Sequence, residues 1–240
     1  MKRSKLGKTI ILAKNCIAEE LLWGETEAAS VKKKPAAARA QARTAPVAGG
    51  VTLESLKGVV DKCRKCGLGA RRLNAVFGSG SSTAALMFVG EGPGFDEDHK
   101  GEPFIGRAGQ LLTKIIESIG LKREEVYIAN IVKCHPMIDP SDPEKRGNDR
   151  PPTAEETACC LPYLDKQIEL INPRIICTLG NSSAQTMLGT ESGISKFRGT
   201  FTVYKNVKLM PTYHPAALLR NPSLKKDVWE DMKMIREALK

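Results

Sequence analysis

From Val51 onward, apolar positions recur with two alternating periods, whereas between residues 28 and 50 large apolar side chains vanish. Leu53 to Cys63 has helical spacing, and Ala85 to Gly90 (ALMFVG) is an unbroken apolar run of strand length. Ala108 to Ile119 sets Leu111, Leu112, Ile115, Ile116 and Ile119 on one helical face, and Val126 to Val132 reads as a second strand. Thr153 to Ile171 is a helix opened by a capping box, Thr153 with Glu156, and Pro162 is expected to kink or split it. A third strand (Ile175 to Leu179), a helix (Ser182 to Leu188), a fourth strand (Val207 to Met210) and a closing helix (Leu224 to Leu239) follow. This alternation predicts an α/β protein, a three-layer α/β/α arrangement with a central, mainly parallel four-stranded sheet. Ligands of such sheets bind beyond the carboxyl ends of the strands, so chemistry is sought there.

Residues 28 to 50 are almost wholly Ala, Lys, Arg, Pro, Thr, Gly and Val, a composition that cannot anchor a core. The chain therefore divides into a basic tail, 1–50, and a folded domain, 51–240. Within the tail, Ile17, Leu21 and Leu22 would share one face of a short helix ending near Gly24, either an incidental turn or a docking segment. Met1 to Lys8 is basic and Thr9 to Ala13 apolar, but the stretch is too short for a secretory signal and runs into Glu19 and Glu20. No run is long enough to span a bilayer. Lys and Arg number 37 against 27 Asp and Glu, yet the first 50 residues carry ten of the bases and only four acids. The body itself leans only mildly toward a polyanionic partner.

The first strand runs into Gly90, Glu91, Gly92, Pro93, Gly94 and then an acidic stretch, Asp96 to Asp98. Alternate glycines invite a dinucleotide reading, but Pro93 and the acids would oppose a pyrophosphate, and no acidic ribose ligand ends the second strand. Gly101 to Gly106 has phosphate-loop spacing but continues Arg107, Ala108 where Lys and then Ser or Thr are required. What remains is a tight turn presenting Glu91 and backbone N–H groups to an uncharged or weakly anionic ligand. Asn130 ends the second strand, as a site residue or a capping residue. His214, in PTYHPAALLR, follows the fourth and is a site candidate; the two are expected at adjacent strand ends. Among seven cysteines, Cys63 and Cys66 form a CxxC, with Cys134 and the pair Cys159, Cys160 downstream. In a reducing compartment this points to a metal rather than a disulfide, and the spacing suits a four-cysteine zinc site or an iron-sulfur cluster. Cys16 and Cys177 read as ordinary.

The motifs GEGPG with its acidic run, GEPFIGRAGQLL, IANIVKC, CCLPYL and TYHPAALLR stand in order between about Val51 and Lys240. Together they resemble the thermostable-type, iron-sulfur family four of uracil-DNA glycosylases. The resemblance implies the uracil-DNA glycosylase-like fold and a base-excision-repair hydrolase that flips uracil out of DNA and leaves an abasic site. It further implies a cytoplasmic monomer whose partner is uracil-containing DNA, with no membrane. By the same resemblance a [4Fe-4S] cluster is held by Cys63, Cys66, Cys134 and Cys160. Cys160 is preferred to Cys159 because it stands two residues before Pro162-Tyr163-Leu164. Phe104 would stack on uracil, Asn130 would read its N3–H and O4, and His214 would bond O2 as charge develops there. Glu91 would position water or the sugar, or bind the base, while Gly92 stands where a related family has an aspartate. Glu97 would lie near the uracil 5-position and disfavour thymine's methyl group. Leu218 and Leu219 suit a wedge, and Arg220, Arg107 and Lys133 suit phosphate contacts. Met137 to Arg146 departs from the family as an insertion. A same-fold enzyme for another damaged base is the main rival, and a zinc-bound nucleic-acid module leaves Asn130 and His214 unexplained.

Overall fold

The structure, a computed structural model, describes residues 50–240 of the chain. The tail expected over residues 1–50 (Gly50 aside), its short helix and Cys16 lie outside the described residues. Helix α1 (Leu53–Lys62) is followed by β1 (Ser79–Gly80), β2 (Leu86–Gly90), α2 (Phe95–Lys100), α3 (Arg107–Ser118) and β3 (Tyr127–Asn130). Then come α4 (Ala154–Ile171), β4 (Ile175–Leu179), α5 (Asn181–Leu188), β5 (Thr202–Tyr204), β6 (Val207–Thr212), α6 (Pro215–Arg220) and α7 (Lys225–Leu239).

The sheet has six strands in the order β1-β3-β2-β4-β6-β5, not four. The four expected strands form its parallel centre, and β1 and β5 add antiparallel edges. Two and three residues are too few to carry a hydrophobic period, so these edges leave no sequence signal. Alternation along the central strands sends side chains into two cores. Met87, Val89, Tyr127 and Ala129 pack beneath Leu56 and Val60 of α1 and Leu164 and Ile168 of α4. Leu86, Phe88 and Ile128 meet Leu112 and Ile116 of α3 and Val228, Met232 and Ile235 of α7.

Helix α4 runs unbroken through Pro162. The proline removes one N–H bond to the Ala158 carbonyl, but the buried face from Ala158 to Ile171 holds the helix against the sheet. Its N-terminus is capped as expected, Thr153 Oγ1 accepting from the Glu156 N–H at 3.2 Å. At the far side Asp231 of α7, fully buried, accepts from the Thr212 hydroxyl and the Arg198 guanidinium, both at 2.5 Å. That pair of bonds pins the end of β6, from which His214 leaves the sheet.

Candidate active site

A cavity of about 400 Å³ opens at the carboxyl ends of the strands, and Glu91, Gly92, Glu97, Phe104, Asn130 and His214 all line it. Asn130 is the last residue of β3 and is 1% exposed, and its Oδ1 has no hydrogen-bond partner among the described residues. Leaving a buried acceptor unpaired costs about 1–3 kcal/mol, a cost a ligand in the cavity would relieve. Its Oδ1 caps no backbone N–H among the described residues.

His214 does not come from a strand adjacent to β3, since β2 and β4 lie between. It reaches the cavity by crossing the end of β4 over Gly180, whose φ of 93° and missing side chain leave room for the His214 Cβ. As N-cap of α6, its Nδ1 accepts the Ala216 N–H at 3.1 Å, so the neutral ring carries its proton on Nε2. Burial, with Arg220 adding to it, pushes the His214 pKa down to about 4, so the ring is uncharged at neutral pH. Its centroid lies 5.6 Å from that of Phe104.

Phe104 is buried with φ at 52°, a conformation that costs a non-glycine residue on the order of 1–3 kcal/mol. Bonds on both sides hold it there. Arg123 Nη2 donates to the Pro103 carbonyl at 2.6 Å, and Glu97 Oε1 accepts the Ile105 and Gly106 N–H groups at 2.9 and 3.0 Å. The other Glu97 oxygen accepts the Gly94 N–H at 3.1 Å. With three backbone donors on its two oxygens, Glu97 clasps the turn after β2 to the Phe104 loop. Glu91 is half-buried, and burial raises its carboxyl pKa while a hydrogen bond with Ser182 opposes the rise. A side chain at Gly92 would meet Val132 and Pro136, and that position carries no carboxylate of its own.

Sequence reasoning missed one wall of the cavity, formed by Pro136 and the run from Asp149 to Pro152. Buried His135 donates through Nε2 to Asp149 Oδ1 at 2.7 Å, and its Nδ1 is 3.7 Å from Asp98 Oδ2. The expected insertion is an ordered loop built on buried Asn148, which binds Asp139 and Asp142. It docks on α2 through Arg146 with Asp96 and Glu144 with His99. A histidine beside Cys134 and an Asp-Arg-Pro-Pro run were the only signals of this wall in the sequence.

Cys63, Cys66, Cys134, Cys159 and Cys160 line a second, smaller cavity between α1, α4 and the loop after β3. Cys160 is buried and Cys159 only partly so. Arg72 Nη1 points at the Cys134 sulfur (2.9 Å), the Lys133 N–H at that of Cys160 (3.2 Å) and the Tyr163 hydroxyl at that of Cys63 (3.4 Å). Among the described residues, no three His, Cys, Asp or Glu side chains are gathered as ligands of one metal ion.

Two expected DNA contacts are corrected. Leu218 is 1% exposed and packs in the α3–α7 core, so it cannot touch DNA, whereas its neighbour Leu219 is 42% exposed. Lys133 is wholly buried and reaches no phosphate. Arg107 and Arg220 are exposed.

The family model described as "Uracil DNA glycosylase superfamily" matches residues 77–233, a stretch that includes every residue named for the first cavity but not Cys63 or Cys66 of the second. A type-4 uracil-DNA glycosylase of Sulfurisphaera tokodaii is 46% identical over 195 residues, 78% of this chain and 84% of its own length. One of Archaeoglobus fulgidus is 43% identical over 198 residues, covering 77% and 94%, and one of Thermotoga maritima 42% over 185, covering 75% and 91%. The chain belongs to the uracil-DNA glycosylase superfamily and, within it, to the type-4 uracil-DNA glycosylases.

Proposed function

We propose that the 400 Å³ cavity receives a uracil flipped out of DNA and that the enzyme hydrolyses its N-glycosidic bond, leaving an abasic site for base excision repair. The observation that carries this reading is the buried, unpartnered Asn130 Oδ1 in one cavity with the neutral His214. The Asn130 carboxamide accepts from uracil N3–H and donates to O4, a pattern that cytosine reverses. Phe104 stacks on the base. The Nε2–H of His214 donates to O2. As the C1′–N1 bond breaks, its electron pair passes to the base, and the charge gathering on O2 strengthens that bond in the transition state. Water, positioned by Glu91, adds at C1′, and the proton it gives up neutralises the departing uracil anion. Glu97 keeps Phe104 over the base by holding its loop, and its place in the cavity wall crowds a 5-methyl group.

Leu219 fills the gap in the stack, and Arg220 and Arg107 contact phosphates. Cys63, Cys66, Cys134 and Cys160 hold a [4Fe-4S] cluster. Four of the five thiols around one cavity, with N–H and O–H donors aimed at three of their sulfurs, would suit as the ligands of such a group. Bound there, the cluster would supply a cross-link between α1, the loop after β3 and α4. Among the described residues no helix is long and apolar enough to cross a membrane. Cysteines held as cluster ligands rather than as disulfides suit the reducing cytoplasm. The basic residues of the 1–50 tail add salt-dependent affinity for DNA.

The test is incubation with a single-uracil oligonucleotide followed by alkaline cleavage, alongside an iron assay. Cleavage at the uracil position and about four irons per chain are expected. An intact oligonucleotide would overturn the catalytic reading, and zinc in place of iron would overturn the cluster.

A further inference from the structure

Lys133 stands three residues after the base-reading Asn130 and immediately before Cys134, and it lines the cysteine cavity but not the base cavity. It is wholly buried, a placement that costs an ammonium several kcal/mol unless its donors are met. They are met in a particular way. Nζ donates to the Asn130 carbonyl oxygen at 2.7 Å and to Gln167 Oε1 at 2.6 Å, while the main-chain N–H of the same residue donates to the Cys160 sulfur at 3.2 Å. Gln167, also buried, completes the network through Nε2, donating to the Phe77 carbonyl at 2.9 Å and the Tyr127 hydroxyl at 3.1 Å. Both ends of β3, Tyr127 and Asn130, are thereby tied to two positions of α4, Cys160 and Gln167.

We propose that Lys133 is a positioning residue through which the cysteine cage sets the placement of Asn130 in the base pocket. The proposal rests on the reading of Asn130 as the group that recognises uracil. Asn130 is the last residue of its strand, and the peptide that follows it is held at both ends: the Ile131 N–H donates to the Gly90 carbonyl at 2.9 Å, and the Asn130 carbonyl accepts from the Lys133 ammonium. The Asn130 side chain can be neither anchored nor corrected by other protein groups at Oδ1, because that atom must stay free for the base. The backbone is then the place where its aim is set, and Lys133 sets it from behind. The same residue answers to Cys160, so a cage that shifts or loses its ligands shifts the base reader while the rest of the sheet stays paired.

The experiment is a double-mutant cycle on the full, iron-loaded chain, pairing Lys133→Met with Asn130→Ala and reading single-turnover uracil excision at saturating DNA. Lys133→Met alone, with wild-type iron content and DNA affinity, is expected to slow excision on the order of 10- to 100-fold, as misplacement of a binding group does. In the Asn130→Ala background the same change is expected to cost less than about twofold, because it acts through a side chain no longer there. An equal factor in both backgrounds, or no loss in the first, overturns the proposal. If Lys133→Met fails to fold or to hold iron, Gln167→Leu removes the second partner of the ammonium without touching the cysteine cage. It must show the same non-additivity with Asn130→Ala, and additive losses again overturn the proposal. A wild-type protein that excises no uracil would instead bring down the pocket reading itself.

Discussion

Gly90 and Asn130 face each other in register at the ends of β2 and β3, and the space a side chain at Gly90 would need is filled by the Asn130 carboxamide and the Phe104 ring. The Phe104 ring and the Asn130 carboxamide can therefore meet only because that position is bare. Gly90→Ala is expected to lower single-turnover excision on the order of 10²-fold by displacing both groups. The overpacking should cost about 1–3 kcal/mol in chemical denaturation. A variant with wild-type excision would show that the pocket tolerates a shift of Asn130.

His214 provides a pH-dependent signature. Its native pKa, pushed down to about 4 by burial and by Arg220, lies below the value of about 6.5 of an exposed imidazole. The native state thus binds fewer protons than the unfolded state between those values. Its contribution to stability is full above about pH 6.5 and is lost as pH falls toward 4. The His214 ring resonances should titrate near pH 4, and the acid slope of stability should flatten in His214→Ala over that window. In the same variant, excision should fall on the order of 10² to 10³-fold with little change in DNA affinity.

Asn130→Asp replaces the amide donor with an acceptor. The carboxylate repels uracil O4 and accepts from the cytosine amino group, so uracil excision should largely disappear and the ratio of cytosine to uracil excision should rise. Matched oligonucleotides with one unpaired uracil or cytosine, compared under single-turnover conditions, read that ratio. An unaltered ratio would remove Asn130 from base recognition.

The neighbouring leucines of α6 should separate cleanly. Leu218→Ala empties a core position and is expected to cost about 2–5 kcal/mol in urea denaturation. Leu219→Ala, at an exposed position, should leave stability within about 0.5 kcal/mol of wild type. It should slow excision from duplex DNA more than from single strands, where no gap in a stack has to be filled. Equal effects on both substrates would count against a wedge at Leu219.

The amino-acid sequence by itself determined the alternation of strands and helices, the four central strands, the places of Asn130 and His214 at or just past strand ends, and the spacing of the cysteines. Those features rest on local periodicity and on motifs, which are read within a few residues. Tertiary structure decided what those residues meet. Lys133 and Leu218 look like surface groups on a basic chain, yet the loop after β3 turns Lys133 inward between Gln167 and Asn130, and the setting of α6 against α3 turns Leu218 into the core. Glu97 looks like one more solvated acid until the Phe104 loop brings the Ile105 and Gly106 N–H groups to it from eight and nine residues away. His214 and Asn130, two strands apart in the sheet, share a cavity because Gly180 lets the chain after β6 cross the end of β4. A side chain's direction along its own helix or strand follows from backbone geometry and can be read locally. Its partners depend on strand order and on loops that close over the sheet, and those are settled only when the distant segments pack.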